Sequence, residues 1–582
     1  MCSYPSKSLN SIASKSYDYI IVGGGTAGCV LADRLSTHGV NSVLLIERGP
    51  VVDSWASRVP LISSNFQDAK SPAYTFNSVP LPGLGGRSLA LVGGKALGGT
   101  SKLNGLIYSR SVPGEYNAWE SDGRVGWGWK HVERVFEKSE NCLSFGGSPG
   151  RGTHGPWQNQ TIEEIHFKPV QLNVDAASSM GIPQSKSNDP DASVLGWSLL
   201  DATIDQQKHR CSTDTAFLPK SIVSRRKNLS VSTGAIVTSL DIEPVTAETD
   251  ILRVVGLHLE DDSDSKKRYH VSCVKEVILC AGAIGTSQLL LLSGVGPQEH
   301  LTTLGIPVLK HLPGVGAHLQ DHISVPILFK VPITDSIELL MGKPITAIKE
   351  FLKYLFLNGK GILGQQVQHA NIILRSNLLD DHGQVRKHID RSELDSHLAH
   401  NIPDIEVMFL PVNPTDRKFD GLAKAYGAFS YLCTVLKPKS FGSLRLASSD
   451  PRQQPLCDLG TLSDPEDFLP LRKALRLALL LSEKLRNTGY PLQDLSVPHD
   501  QSDAILDSFA KENAMSTYHY SSTCRMDTED RFGVVDDELR VHGVAGLRIA
   551  DASVFPQIPA CHLQAPVVMV AERCAEFLLK SE

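Results

Sequence analysis

Tyr17-Asp-Tyr-Ile-Ile-Val-Gly-Gly-Gly-Thr-Ala-Gly28 is the stretch that decides the fold, together with its continuation to Glu47. Tyr19 to Val22 is a compact β-branched and aromatic run, the pattern of a strand buried on both faces. Gly23, Gly25 and Gly28 then spell G-x-G-x-x-G, and a helical pattern follows from Cys29 to Leu35. A second apolar run, Val43 to Ile46, ends at the acid Glu47. The three glycines suit a tight turn, close backbone approach to a pyrophosphate, and close helix–strand packing. A helix N-terminus offers unpaired N–H groups and partial positive charge to phosphates. Glu47 stands where a ribose diol needs an acceptor. Strand, helix, second strand and acid all fall where a dinucleotide fingerprint requires them; the motif does not separate NAD from FAD.

Working outward, 582 residues exceed one ordinary core, so two domains are expected. A hydrophobic share of 41% with 21% charged residues belongs to a soluble globular protein. The net charge of −6 comes without a basic block, which argues against a nucleic-acid partner. No apolar run reaches the ~18 residues of a spanning helix, so no membrane partner is expected. The first sixteen residues lack the apolar core of a signal peptide, and a cytoplasmic enzyme is the expectation. Eleven cysteines without C-x-x-C suggest neither a disulfide framework nor a metal site; Cys29, Cys280 and Cys574 sit in apolar runs and read as core.

Gly93 to Gly105 is too glycine-rich for an element interior, yet it carries Ala96, Leu97 and Leu103. A loop pressed against a cofactor accounts for both features. Trp119 to Asn141 reads as loop then helix. Asn228–Val237, Arg253–Leu259 and Val274–Leu279 read as strands of an antiparallel insertion returning to the first sheet. Cys280 to Gly296 reads as strand end, glycine turn, short apolar helix and glycine stop. Residues 320–510 change character: helical patterns at Ile345–Leu357 and Phe468–Leu485 alternate with strand-like Ile405–Leu410 and Phe429–Leu436. Near the end, Leu547 to Ala552 reads as a strand ending in an acid, and Pro566 is placed to open an apolar helix to Leu579.

With these segments in view, the chain resembles the glucose–methanol–choline (GMC) flavin oxidoreductases. Gly94 to Tyr108 looks like the family's first signature, with Gly98-Gly-Thr-Ser101 and Asn104 in place. Gly282 to Gly296 resembles the second signature. Gly314-Val-Gly316 with Leu319-Gln-Asp-His322, and the run through Asp551, His562 and Ala571-Glu-Arg573, are similar to further family blocks. The resemblance implies an α/β fold, with a Rossmann-like FAD domain interleaved with an α+β substrate domain of sheet and helices. The expected division is 1–160, 220–320 and 511–582 for FAD, with 161–219 and 321–510 for the substrate. Carried over position by position, it implies FAD contacts at Gly23, Gly25, Thr26, Ala27, Gly28, Glu47, Gly98, Thr100, Asn104, Gly105, Val237, Asp551, Ala552 and Gln564.

Three departures stand out. Arg110-Ser111 replaces a usual Arg-Gly, which reads as a modest loop change. His318 stands where asparagine is common. Leu103 occupies the position of the histidine that tethers flavin in some relatives; leucine has no nucleophilic atom, so the FAD is expected to be non-covalent.

Oxidising an alcohol to a carbonyl removes a hydroxyl proton and a carbon-bound hydride, so the protein must supply a base beside the flavin. Histidine suits the proton step, with an unperturbed pKa of roughly 6.5. The resemblance places His519 as that base and His562 as its partner on the substrate oxygen, while His322 is read as structural. After His519 the chain has Tyr520 and Ser521-Ser522 where Pro and Gly are usual. The expected partners are a small, fairly apolar or aromatic alcohol and an electron acceptor, oxygen or another. A GMC offshoot acting as a lyase or photodecarboxylase is the rival reading, disfavoured by retention of both histidines.

Overall fold

The computed structural model describes residues 4–66, 71–144, 150–162, 164–245 and 251–580. Ser16–Val22 (β1), Thr26–Ser36 (α1) and Val43–Glu47 (β2) form the opening β-α-β unit. β1 and β2 pair in parallel, and every residue of β2 is buried. That double burial explains a strand written in Val, Leu and Ile without alternation. Leu229–Thr233 (β3) adds in parallel to β2. Ala235–Pro244 (β4), Leu252–Asp261 (β5) and Asp264–Leu279 (β6) follow as an antiparallel meander. The far half of β6 returns to lie parallel to β1, giving the order β3-β2-β1-β6-β5-β4. Leu547–Ile549 adds in parallel to β6. The strand order therefore reverses at β1, and the crevice outside its carboxyl end is where such sheets take ligands.

Asn228–Val237 is thus two strands rather than one. Gly234, at φ +78°, breaks the run between β3 and β4. That left-handed backbone is open to glycine at little steric cost.

A second sheet of seven strands stands beside the first. Its order runs Gln493–Ser496, Ile323–Val331, Gly427–Val435, Ile405–Leu410, Ala370–Leu374, Leu195–Leu199, with Met515–Ser516 also on Ile323–Val331. The neighbouring strands pair antiparallel throughout this order. Phe468–Asn487 covers it, turning Leu471, Leu475, Ala478 and Leu485 inward. The C-terminal helix, Gln564–Lys580, returns to the first unit, where buried Glu572 meets Arg34 of α1 at 2.6 Å. It opens at Gln564, two residues before Pro566; proline in the first turn forfeits only an N–H that would be unpaired there. Cys29, Cys280 and Cys574 are core, at 4% exposure or less. Among the described residues no helix is long and apolar enough to cross a membrane.

Candidate active site

One cavity of about 1100 Å³ runs from the end of β1 to the edge of the second sheet. It lies just above the roughly 300–1,000 Å³ range usual for ligand sites. Gly23, Gly25, Thr26, Ala27 and Glu47 line one end; Ala552, His519, His562 and Gln564 line the other; Thr100, Asn104, Gly105, Val237 and Asp551 also line it. Gly28 and Gly98 do not. A Cβ at Gly28 would run into the Gly23 carbonyl, so this glycine lets α1 seat against the turn. Gly98, at φ +94°, lies against Asp214, itself paired with Lys102 at 2.8 Å. Both act behind the wall rather than on it.

The Gly93–Gly105 loop covers the first glycine turn. Gly98 N donates to Gly24 O at 2.7 Å, and a side chain at Gly99 would strike Gly25. Glu47 accepts from Gly24 N at 2.8 Å and Gly49 N at 2.7 Å, which fixes its carboxylate at the strand end. Burial pushes its pKa up to about 7 against those hydrogen bonds. Asp551 is engaged by the protein on both oxygens: Oδ1 caps Ser553, and Oδ2 takes Gly282 N and Thr286 Oγ1. Asn104 Nδ2 donates to Gln564 Oε1 at 3.0 Å, while Gln564 Nε2 donates to Ile107 O, bracing the loop against the C-terminal helix.

At the far end three imidazoles form a chain. His519 Nδ1 lies 2.9 Å from His322 Nδ1, and His322 Nε2 lies 3.1 Å from Pro559 O. His562 stands on the other side of His519, ring centroids 5.0 Å apart and planes at 88°. A carbonyl can only accept, so His322 Nε2 carries hydrogen. Burial and the neighbouring His562 and Lys437 push the His322 pKa down to about 3, so its ring is neutral and Nδ1 is bare. His519 Nδ1 must then donate. That leaves Nε2 as the one nitrogen of His519 able to accept a proton. Burial, His322 and His562 also hold the His519 pKa well below the usual range, keeping the ring neutral. His322, read from the sequence as structural, is therefore in hydrogen-bond contact with the expected base.

Asp321 holds the base from behind, taking His519 N at 2.8 Å on one oxygen and Ser516 Oγ on the other. Glu406 lies 3.4 Å from His562 Nε2 and accepts from Asn371 Nδ2 at 2.6 Å. Sequence reading passed over Glu406, yet a carboxylate inside the otherwise apolar Ile405–Leu410 run was a visible anomaly. The Tyr520 hydroxyl accepts from Val92 N at 3.0 Å, so this replacement for proline ties the histidine loop to Ala90–Gly94. Leu103 lines the cavity with an aliphatic side chain.

Residues 17–324 and 438–571 match the amino- and carboxy-terminal family models described as GMC oxidoreductase. The chain belongs to the GMC oxidoreductase family. As a GMC oxidoreductase it is an FAD-dependent enzyme that oxidises an alcohol. It is similar to an oxygen-dependent choline dehydrogenase of Photobacterium profundum, 32% identical over 97% of this chain and 93% of that one. An alcohol dehydrogenase [acceptor] of Pseudomonas putida is 31% identical over 97% and 95%. Among solved structures, pyridoxine 4-oxidase from Mesorbium loti superposes with a TM-score of 0.79 at 25% identity, covering 96% of this chain and 98% of that one. A fungal aryl-alcohol oxidase, at 24% identity, shares the fold with a TM-score of 0.81 over 97% and 99%. The cavity of this GMC oxidoreductase fits FAD: a glycine cradle in which a Cβ at Gly23, Gly28 or Gly99 would strike backbone opens into a space that His519 and His562 also line.

Proposed function

We propose that this enzyme oxidises the carbinol of a small, largely apolar alcohol, with His519 as general base and His562 as hydrogen-bond partner of the substrate oxygen. One observation carries the reading: the Pro559–His322–His519 chain, which leaves His519 Nε2 as its only proton acceptor, on a ring that lines the cavity beside His562. FAD, when bound, supplies the acceptor for the hydride. His519 Nε2 takes the hydroxyl proton, and the bare Nδ1 of His322 accepts a hydrogen bond from the resulting imidazolium. Glu406 takes the Nε2–H of His562, fixing its ring. The N-terminus of Gln564–Lys580 adds partial positive charge beside the cavity.

The substrate end is apolar: Ile62, Phe66, Leu340, Met408, Leu410 and Leu432 all line it. Residues 161–219 and 321–510 are assigned to the substrate side, with segment 61–66 of the first unit as a further wall. The Phe66 and Tyr518 rings meet edge-to-face at 5.4 Å, a surface suited to an aromatic or branched group.

The test is anaerobic mixing with a panel of aliphatic, aromatic and quaternary-ammonium alcohols, followed by admission of air. Bleaching of the flavin by apolar or aryl alcohols supports the reading; recolouring in air identifies oxygen as an acceptor. A flavin that no alcohol bleaches, or bleaching confined to choline, would sink the substrate reading.

A further inference from the structure

Pro344–Phe356 is a helix turned inside out. Its buried side chains are Glu350 and Tyr354, the first holding Lys353 and Ile362 N, the second donating to Lys208 O. The opposite side presents Ile345, Ile348, Leu352 and Phe356 at 72, 59, 44 and 76% exposure. At 100° per residue these positions fall within one continuous arc, a stripe that a surface helix ordinarily turns to the core. The apolar surface continues into Met341 and Leu357, and Trp55 meets Phe351 edge-on at 5.3 Å.

The charge beside the stripe is positive on an otherwise acidic chain. Residues 339–362 carry Lys343, Lys349, Lys353 and Lys360 against one acid, Glu350, which is already paired with Lys353. All four lysines are exposed. An apolar arc bordered by lysines, with a tryptophan at its edge, is the pattern of a helix lying in a bilayer interface. A second copy of this chain would bring lysines against lysines across a two-fold. The buried side of the same helix packs at the substrate end: Tyr354 shares a small apolar cluster with Leu363 and Leu340, and both leucines line the cavity.

We propose that Pro344–Phe356 is an interfacial anchor that docks the enzyme on membranes bearing anionic lipid, beside its apolar substrate pocket. That no helix among the described residues is long and apolar enough to cross a membrane concerns insertion, not surface attachment. The inference goes beyond the alcohol reading and does not depend on it, because its readout needs no turnover.

The test is flotation of the full-length, FAD-loaded protein with vesicles of phosphatidylcholine alone and of phosphatidylcholine with phosphatidylserine. The protein should float with the anionic vesicles. A variant carrying Ile348→Ser, Leu352→Ser and Phe356→Ser should bind at least about tenfold more weakly. Lys343→Glu with Lys349→Glu and Lys360→Glu should lose the preference for anionic lipid. Both variants should keep the flavin spectrum and melting temperature of the parent, since these side chains face solvent. A parent protein that stays in solution with both vesicles, or a serine variant that floats as well as the parent, would overturn the proposal. So would a dimer in solution that the serine variant dissolves without any vesicle binding, which would make the stripe a self-association face.

Discussion

His519 draws its assigned role from a neighbour that donates to a carbonyl. Its replacement by alanine should slow anaerobic flavin reduction by ~10²–10⁴-fold, the usual contribution of a positioned general base, with flavin content nearly unchanged. His562→Asn keeps a hydrogen-bonding group and should cost much less, with His562→Ala between. Equal damage from His562→Asn and His519→Ala would mean that the roles are shared or reversed. The pH dependence follows from the direction of the shift. A base works in its neutral form, and the His519 pKa lies well below ~6.5, so reduction should stay flat as pH falls through the ordinary histidine range. Rate is lost only on reaching the depressed value. His322→Ala removes one cause of that depression, so the acid limb should move to higher pH as the rate drops; an unmoved limb would leave His322 a packing residue. Other family departures have a backbone origin. Ser111 sits at φ 63° with its buried hydroxyl lacking a partner among the described residues, and His318 sits at φ 57°. Left-handed backbone suits Gly and Asn, so Ser111→Gly and His318→Asn should each raise stability, by about 0.5–1 kcal/mol, read as a higher melting temperature. A fall in melting temperature would show that the native side chains make contacts worth more than the strain.

The β1–α1–β2 unit shows how an element depends on atoms that do not face the ligand. Glu47 uses both carboxylate oxygens on backbone N–H groups, so Glu47→Gln must turn an amide donor toward Gly24 N or Gly49 N. Leaving one buried donor unpaired costs about 1–3 kcal/mol, so FAD should dissociate roughly 5- to 150-fold more readily; Glu47→Ala should be at least as damaging. Unchanged FAD affinity in Glu47→Gln would remove Glu47 from the site. Gly28→Ala is expected to unseat α1 from the turn, reducing both folded yield and flavin content. This unit was legible because glycine spacing, buried-strand composition and the terminal acid all encode backbone geometry locally. The β3–β4 break was not, since Gly234 lies in an otherwise strand-like run and only its positive φ divides it. The His322–His519 pair was not legible either. Residues 197 positions apart meet only when Ile323–Val331 pairs with Met515–Ser516, a contact that no local pattern records.

At the scale of the whole molecule, two sheets meet around one cavity, each supplying a different part of its lining. The glycine cradle belongs to the first sheet, and Met408, Leu410 and Leu432 come from adjacent strands of the second. These side chains form a small apolar cluster with Ile107 and Leu200, separate from the main core. A substitution there should therefore change the substrate space without reaching the cradle. Met408, only 1% exposed, lines the cavity from Ile405–Leu410. Met408→Ala removes several buried atoms and should cost ~2–5 kcal/mol of stability if the space stays empty. A bulkier aryl or branched alcohol that fills the space would recover part of that loss. Relative kcat/KM should then shift toward the larger alcohols, by about tenfold for roughly 1.4 kcal/mol of regained contact. The flavin absorption spectrum and FAD affinity should match the parent. A panel of alcohols graded in size, run on parent and variant side by side, reads the effect directly. Should Met408→Ala lose flavin instead, or lower activity on every alcohol by the same factor, the second sheet would be supporting the cofactor rather than selecting the substrate, and its assignment to the substrate would fail.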